Sequence, residues 1–172
     1  KFSESTFASG FFSLFLCRSS IAVRPIRRTN GMSTLVCGAT GAIGAALARR
    51  IFSRGGTLVL AGRSESSLQS LSKELGNATY RVTDFSKPES VAASLGDLPE
   101  DLQGFAYAVG SITLKRITAA KPADYESSFA LNVISASEAF KASMPGLKKN
   151  KGSAVFFSSV AASKGFASHA VV

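Results

Sequence analysis

Three glycines set three residues apart, Gly38, Gly41 and Gly44, close the apolar run Thr34-Leu35-Val36-Cys37 and open a helical pattern that continues from Ala45 to Phe52. A strand ending in such a turn, with a helix N-terminus directly behind it, offers free backbone amides and the positive end of a helix dipole to an anion. Glycine at these positions lets the backbone turn sharply, approach phosphate oxygens without an intervening Cβ, and pack helix on strand. The chemistry that suits this arrangement is a grip on the diphosphate of a dinucleotide, with Gly38, Thr40, Gly41, Ala42, Ile43 and Gly44 around it. The spacing is G-x-x-G-x-x-G rather than G-x-G-x-x-G, and a glycine turn that binds nothing is the competing interpretation.

A dinucleotide site makes a second demand. About 20 residues past the glycines, an acidic side chain meets the ribose hydroxyl when the cofactor is NAD. This chain has Gly62-Arg63-Ser64 there. A guanidinium pairs bidentately with phosphate oxygens, whereas a carboxylate would repel them. NADP is therefore favoured over NAD, with Arg63, Ser64 and Thr40 about the 2′-phosphate. A methyltransferase would share the glycine turn but would also place an acid on the ribose, so Arg63 argues against it.

The elements that must position these residues alternate. The pattern predicts strands at Thr34–Gly38, Thr57–Ala61, Ala78–Thr83, Phe105–Gly110 and Ala154–Ser159. The run at 57–61 is apolar without alternation, as a strand covered on both faces of a parallel sheet requires. Helices are expected from Ile43 to Arg54 with Ile43, Leu47 and Ile51 on the inner face, and from an N-cap at Ser64 through Leu68, Leu71 and Leu75. Two more are expected, from about Pro88 and from Pro122 to Lys148, the last striped by Phe129, Val133, Ala136 and Phe140 and broken near Pro145. Asp97 to Gln103 is expected to be a polar connection. Strands alternating with helices give right-handed βαβ units. The fold class is α/β, a doubly wound parallel sheet of Rossmann type.

Composition limits the alternatives. The chain has 172 residues, 45% of them hydrophobic, enough for one domain with a core. Cys17, Cys37 and the single His169 supply neither a disulfide framework nor a metal cluster. Of the net charge of +9, five basic residues and one acidic residue within 1–31 carry +4. The remainder is only mildly basic and shows no recognition-helix signature, so neither a nucleic-acid partner nor a membrane partner is expected. Residues 1–31 are set apart as an extension to a nucleotide-binding domain over 32–172. They are Arg- and Ser-rich and poor in acid, which suits a transit peptide to a mitochondrion or plastid. A short secretory signal is a further possibility. Met32 is an alternative start, which would make 1–31 upstream sequence and the protein cytoplasmic.

From Met32 to about Ser168 the chain resembles the short-chain dehydrogenase/reductase family. Cys37-Gly38-Ala39-Thr40-Gly41-Ala42-Ile43-Gly44 is similar to the family's cofactor turn, with Cys37 where Thr is usual. Thr83-Asp84 resembles the strand end whose Asp contacts the adenine amine. Tyr107-Ala108-Val109-Gly110 occupies the place of the family's Asn-Asn-Ala-Gly, and of these only Gly110 matches. Leu131-Asn132-Val133 resembles the helix bearing the family's catalytic-site Asn, and Phe156-Phe157-Ser158-Ser159 the strand end bearing the catalytic Ser. The resemblance implies an oxidoreductase acting on a small carbonyl or alcohol. It implies that Ser159 hydrogen-bonds the substrate oxygen, that Asn132 anchors a water in a proton relay, that Ala108 and Gly110 border the cofactor, and that the full-length form is a homo-oligomer.

One landmark is missing. The family's Tyr-x-x-x-Lys proton donor falls about thirteen residues after the Ser, here at Val172, and no Tyr-x-x-x-Lys occurs among Tyr80, Tyr107 and Tyr125. His169 is a weak substitute. The sequence therefore suggests a C-terminally truncated fragment whose fifth strand is an exposed edge and which associates readily when expressed alone. The alternative is a non-catalytic NADP(H)-binding pseudoenzyme or partner subunit.

Overall fold

A computed structural model describes residues 32–171; the expectations for 1–31 and for Val172 lie outside the described residues. The chain alternates β1 (Ser33–Cys37), α1 (Ala42–Phe52), β2 (Thr57–Gly62), α2 (Glu65–Glu74), β3 (Thr79–Val82), α3 (Pro88–Ser94) and β4 (Leu102–Tyr107). There follow α4 (Pro122–Phe129), a π-helical stretch (Ala130–Ile134), α5 (Ser135–Lys149) and β5 (Ser153–Phe156). All strand pairs are parallel, in the order β3-β2-β1-β4-β5. Side chains of one strand alternate between faces. Leu35, Cys37, Val59, Ala61, Phe105 and Tyr107 accordingly form a core under α3 and α5. Val36, Leu58 and Leu60 form the other, under α1 and α2. This is the expected doubly wound α/β sheet.

The boundaries move at several places, each for a physical reason. β4 begins at Leu102, inside the expected polar connection, because Leu102 pairs with Ser33 and is buried; it ends at Tyr107. β5 ends at Phe156, so Ser159 lies three residues beyond the strand rather than at its end. Pro145 does not break its helix. Leu147 is buried two residues on, and a Cβ at Gly146 would come within 2.8 Å of Leu102 Cβ, so that glycine serves close helix–strand packing. The end is held by Asn150, whose Nδ2 donates to the carbonyls of Gly146, Glu100 and Leu102.

Two apolar stripes are also corrected. Ile43 is 41% exposed, and Gly44 and Ala48 form the buried face of α1. Phe129 and Val133 are 58% and 46% exposed, while Ala136 is buried and Phe140 packs on the core. The π turn between them rotates the first half of the helix away from the face that the second half buries. β5 lies at the sheet edge and all its residues are exposed. Among the described residues, no helix is long and apolar enough to cross a membrane.

Candidate functional site

The glycine turn caps the carboxyl end of β1. Gly38 and Ala39 both donate their amides to the Ala61 carbonyl, at 2.8 and 3.0 Å, which lays the turn across β2. Gly38 has φ +77°, and a Cβ there would come within 2.8 Å of the Ala108 carbonyl oxygen. A Cβ on Gly44 would run into the Gly38 carbonyl. Gly41 is the N-cap of α1, in extended conformation and with no side chain bonded across the helix end. The chain is drawn tight here by Gly41 N donating to Gly38 O and Ala45 N to Gly41 O. Among the described residues the amides of Ala42, Ile43 and Gly44 have no acceptor, and the first turn of α1 carries no acid. Three donors aimed out of a helix N-terminus, with no carboxylate to fill them, suit an anion.

On the β2–β3 side, Thr40 leans over Gly62, its Oγ1 standing 3.4 Å from where a Cβ of Gly62 would be. Arg63 follows directly, exposed and in no ion pair among the described residues. Ser64 accepts from Ser67 N as the N-cap of α2, so its hydroxyl is partly committed to the fold. Asp84 accepts from the hydroxyl of Ser86 at 2.7 Å and from its amide at 3.0 Å. These bonds hold its carboxyl below the usual range, with smaller help from the charges of Lys87 and Arg63.

Asp124, Glu74 and Glu100 are likewise depressed, chiefly by side-chain hydrogen bonds from Lys115, Arg49 and Lys149. A carboxylate with a lowered folded-state pKa contributes stability that is complete above its unfolded value, about 4, and is lost as pH falls through the folded value. The thermal midpoint is therefore expected to hold from neutral pH to about pH 5 and to drop below about pH 4. Calorimetry across that range checks this, and a midpoint that rises on acidification would contradict it.

On the β4–β5 side, Ala108 donates its amide to Cys37 O at 2.9 Å, and its carbonyl presses against Gly38. Gly110 and Ser111 meet Asn132. The Asn132 Oδ1 accepts from Ser111 N, and its Nδ2 donates to Ser111 O (both 3.2 Å) and to Ser128 Oγ at 3.1 Å. Gly110 leaves room for that amide, since a Cβ there would come within 3.2 Å of Asn132 Oδ1. Ser128 in turn donates to Val171 O, which ties the last described residue to the same cluster. Ser159 accepts from Ala161 N as the cap of a short 3-10 turn, Val160–Ala162. That bond uses a lone pair of its oxygen and leaves its proton to donate elsewhere. β5 is sewn to this end by Phe157 N donating to Tyr107 O at 3.4 Å.

The residues singled out in the sequence thus gather along the carboxyl ends of the five strands, from Asp84 and Arg63 through the glycine turn to Asn132. Among the described residues no hydrogen bond joins Ser159 to Asn132. Sequence reasoning passed over Ser111 and Ser128, and it placed Tyr107 where the family has Asn without giving its side chain a role. Ser128 carried a signal, since it precedes Asn132 by four positions on a helix; Ser111 acts through its backbone and carried none.

The family model for short chain dehydrogenase matches residues 33–171. Serine 3-dehydrogenases of Rhizobium radiobacter and Agrobacterium fabrum are each 30% identical over 133 residues, covering 74% of this chain and 53% of theirs. The chain therefore spans about half the length of these relatives. Among solved structures, a short chain dehydrogenase/reductase family protein superposes with a TM-score of 0.77 at 25% identity, over 83% of this chain and 61% of that one. A closed form of serine dehydrogenase complexed with NADP+ superposes with a TM-score of 0.72 at 27% identity, over 81% and 59%. With its parallel sheet, its glycine turn and a family match across all but one of the described residues, the chain belongs to the short-chain dehydrogenase family.

Proposed function

We propose that the protein is an NADP-dependent oxidoreductase that interconverts a small carbonyl compound and its alcohol, with residues 32–172 forming the nucleotide-binding domain. The observation that carries this is that Arg63, exposed and in no ion pair among the described residues, directly follows the Gly62 over which Thr40 leans, while three amides at the N-terminus of α1 have no acceptor among the described residues. Those amides, of Ala42, Ile43 and Gly44, would hold the diphosphate, with Gly38 and Gly41 shaping the turn that aims them. Arg63 and Thr40, with Ser64 at the rim, would take the 2′-phosphate. Asp84 would face the adenine amine, and the backbone of Ala108 and Gly110 would border the nicotinamide end. The bound cofactor supplies a hydride. Ser159 would donate its free proton in a hydrogen bond to the substrate oxygen, on which charge develops. Asn132, held by Ser111 and Ser128, would steady a water that delivers a proton. The exposed Phe129 and Val133 support assembly into a homo-oligomer.

The NADP-bound serine dehydrogenase among the structural neighbours supports the choice of cofactor. Arg63→Ala tests it. Hydrogen bonds to charged groups contribute about 1.5–3 kcal/mol, so NADPH affinity is expected to fall about 10- to 100-fold while NADH affinity is unchanged. Titration followed by the fluorescence of the reduced nicotinamide reads both. Equal binding of NADH and NADPH by the unmodified protein, with no effect of the substitution, would overturn the assignment.

A further inference from the structure

We infer that Tyr107 is a positioning residue for the Asn132 end of the site, acting through the carbonyl of Leu131; its importance for turnover rests on the role proposed for Asn132. The helix running from Pro122 to Lys149 leaves α register over Ala130–Ile134. In an α-helix the Ser135 amide would donate to the Leu131 carbonyl. Here it donates to Ala130 O instead, and Leu131 loses its ordinary donor. The Tyr107 hydroxyl supplies the replacement, donating to Leu131 O at 2.8 Å from the end of β4. A carbonyl left without a donor beside the core costs about 1–3 kcal/mol, so this bond decides whether the π turn is tolerable.

The donor is itself rigid. Tyr107 is 3% exposed, and its ring stands edge-on to Phe85 at 5.6 Å and 89°. Burial pushes its phenol well above the ordinary tyrosine range, so the hydroxyl keeps its proton and remains a donor. A second fastening comes from the same quarter, since Ser135 Oγ donates to Phe85 O at 2.6 Å. The π turn is thus pinned at Leu131 and Ser135 by two residues whose rings touch. Asn132 lies between the pins. A slip of one residue back to α register would turn it by about 100° around the helix axis and take its amide off the Ser111 backbone. Among the described residues the Tyr107 hydroxyl bonds only the Leu131 carbonyl, so its effect passes through the helix.

Tyr107→Phe in the full chain keeps the ring and removes the hydroxyl. The side-chain amide resonances of Asn132 are expected to move toward those of a free amide. Exchange of the Ser111 amide proton should accelerate about tenfold, the equilibrium equivalent of one hydrogen bond. Loss of thermal stability with both signals unchanged would overturn the inference, because a purely structural tyrosine would give that result. A measurement on the unmodified chain covers the case of a variant that does not fold. The Tyr107 hydroxyl proton must exchange slowly and show cross-relaxation to Leu131, and exchange at the solvent rate would overturn the inference as firmly. These signals are read without NADPH, so failure of the unmodified protein to bind NADPH would count against the cofactor assignment alone.

Discussion

Gly44→Ala is expected to destabilise the chain by about 3 kcal/mol, against the usual rule that alanine in a helix improves on glycine by about 1 kcal/mol. The reversal follows from contact. Gly44 is in the first turn of α1, where the helix crosses the end of β1, and a Cβ built there collides with the Gly38 carbonyl and stands 3.0 Å from Ala39 Cα. Both are backbone atoms fixed by the amide bonds to Ala61, so neither can swing aside. The helix must move outward, which carries the amides of Ala42 and Ile43 away from the turn, and dinucleotide affinity should fall with stability. Gly55→Ala is the control. It has φ +79° and nothing within 4 Å of its Cβ, so only the left-handed backbone strain of about 1–2 kcal/mol applies. Urea unfolding of the two variants separates collision from strain; equal losses would show that Gly44 is not a packing glycine.

Ser159→Ala is expected to lower kcat of the full-length protein by about 100- to 1000-fold while leaving NADPH binding unchanged, the loss typical of removing one donor from a developing oxyanion. The hydroxyl already accepts from Ala161 N, so its proton has a fixed direction available. Alanine would also remove the cap of the Val160–Ala162 turn, a cost of about 1 kcal/mol in stability that cannot account for so large a rate effect. Ser159→Thr preserves both donor and cap and should recover part of the rate. Steady-state kinetics with NADPH and a panel of small ketones and aldehydes reads these values, and a Ser159→Ala enzyme with unchanged kcat would remove Ser159 from the reaction.

Much of this was legible before any coordinates, and the reasons are specific. The run Leu58-Val59-Leu60-Ala61 has no polar face, so it had to lie between two layers, and it does. Ser64, directly ahead of the stripe of Leu68, Leu71 and Leu75, announced the cap of α2. Gly38, Gly41 and Gly44 announced the turn, and at Gly38 and Gly44 a Cβ would run into the backbone of Ala108 or of Gly38 and Ala39.

What stayed hidden depended on long-range contact. Pro145 and Gly146 together read as a stop, and only the proximity of Leu102 shows that Gly146 is there to let α5 lie against β4. The stripe from Phe129 to Phe140 kept perfect helical spacing, yet one π turn sends its first half to the surface, and periodicity carries no mark of a register change. Tyr107 read as a residue standing where Asn is usual. Its place emerges only once the Ser135 amide is seen donating to Ala130 O in place of Leu131 O, with the Tyr107 hydroxyl on the latter.

The most direct test of the site is the response of individual amides to a dinucleotide. In a nitrogen-15 labelled sample titrated with NADPH, the amide protons of Ala42, Ile43 and Gly44 are expected to shift strongly downfield together, as donors do on meeting a diphosphate, with the Arg63 guanidinium signals slowing in exchange at the same midpoint. Saturable binding that leaves those three amides unmoved would place the cofactor elsewhere and contradict the assignment of the glycine turn.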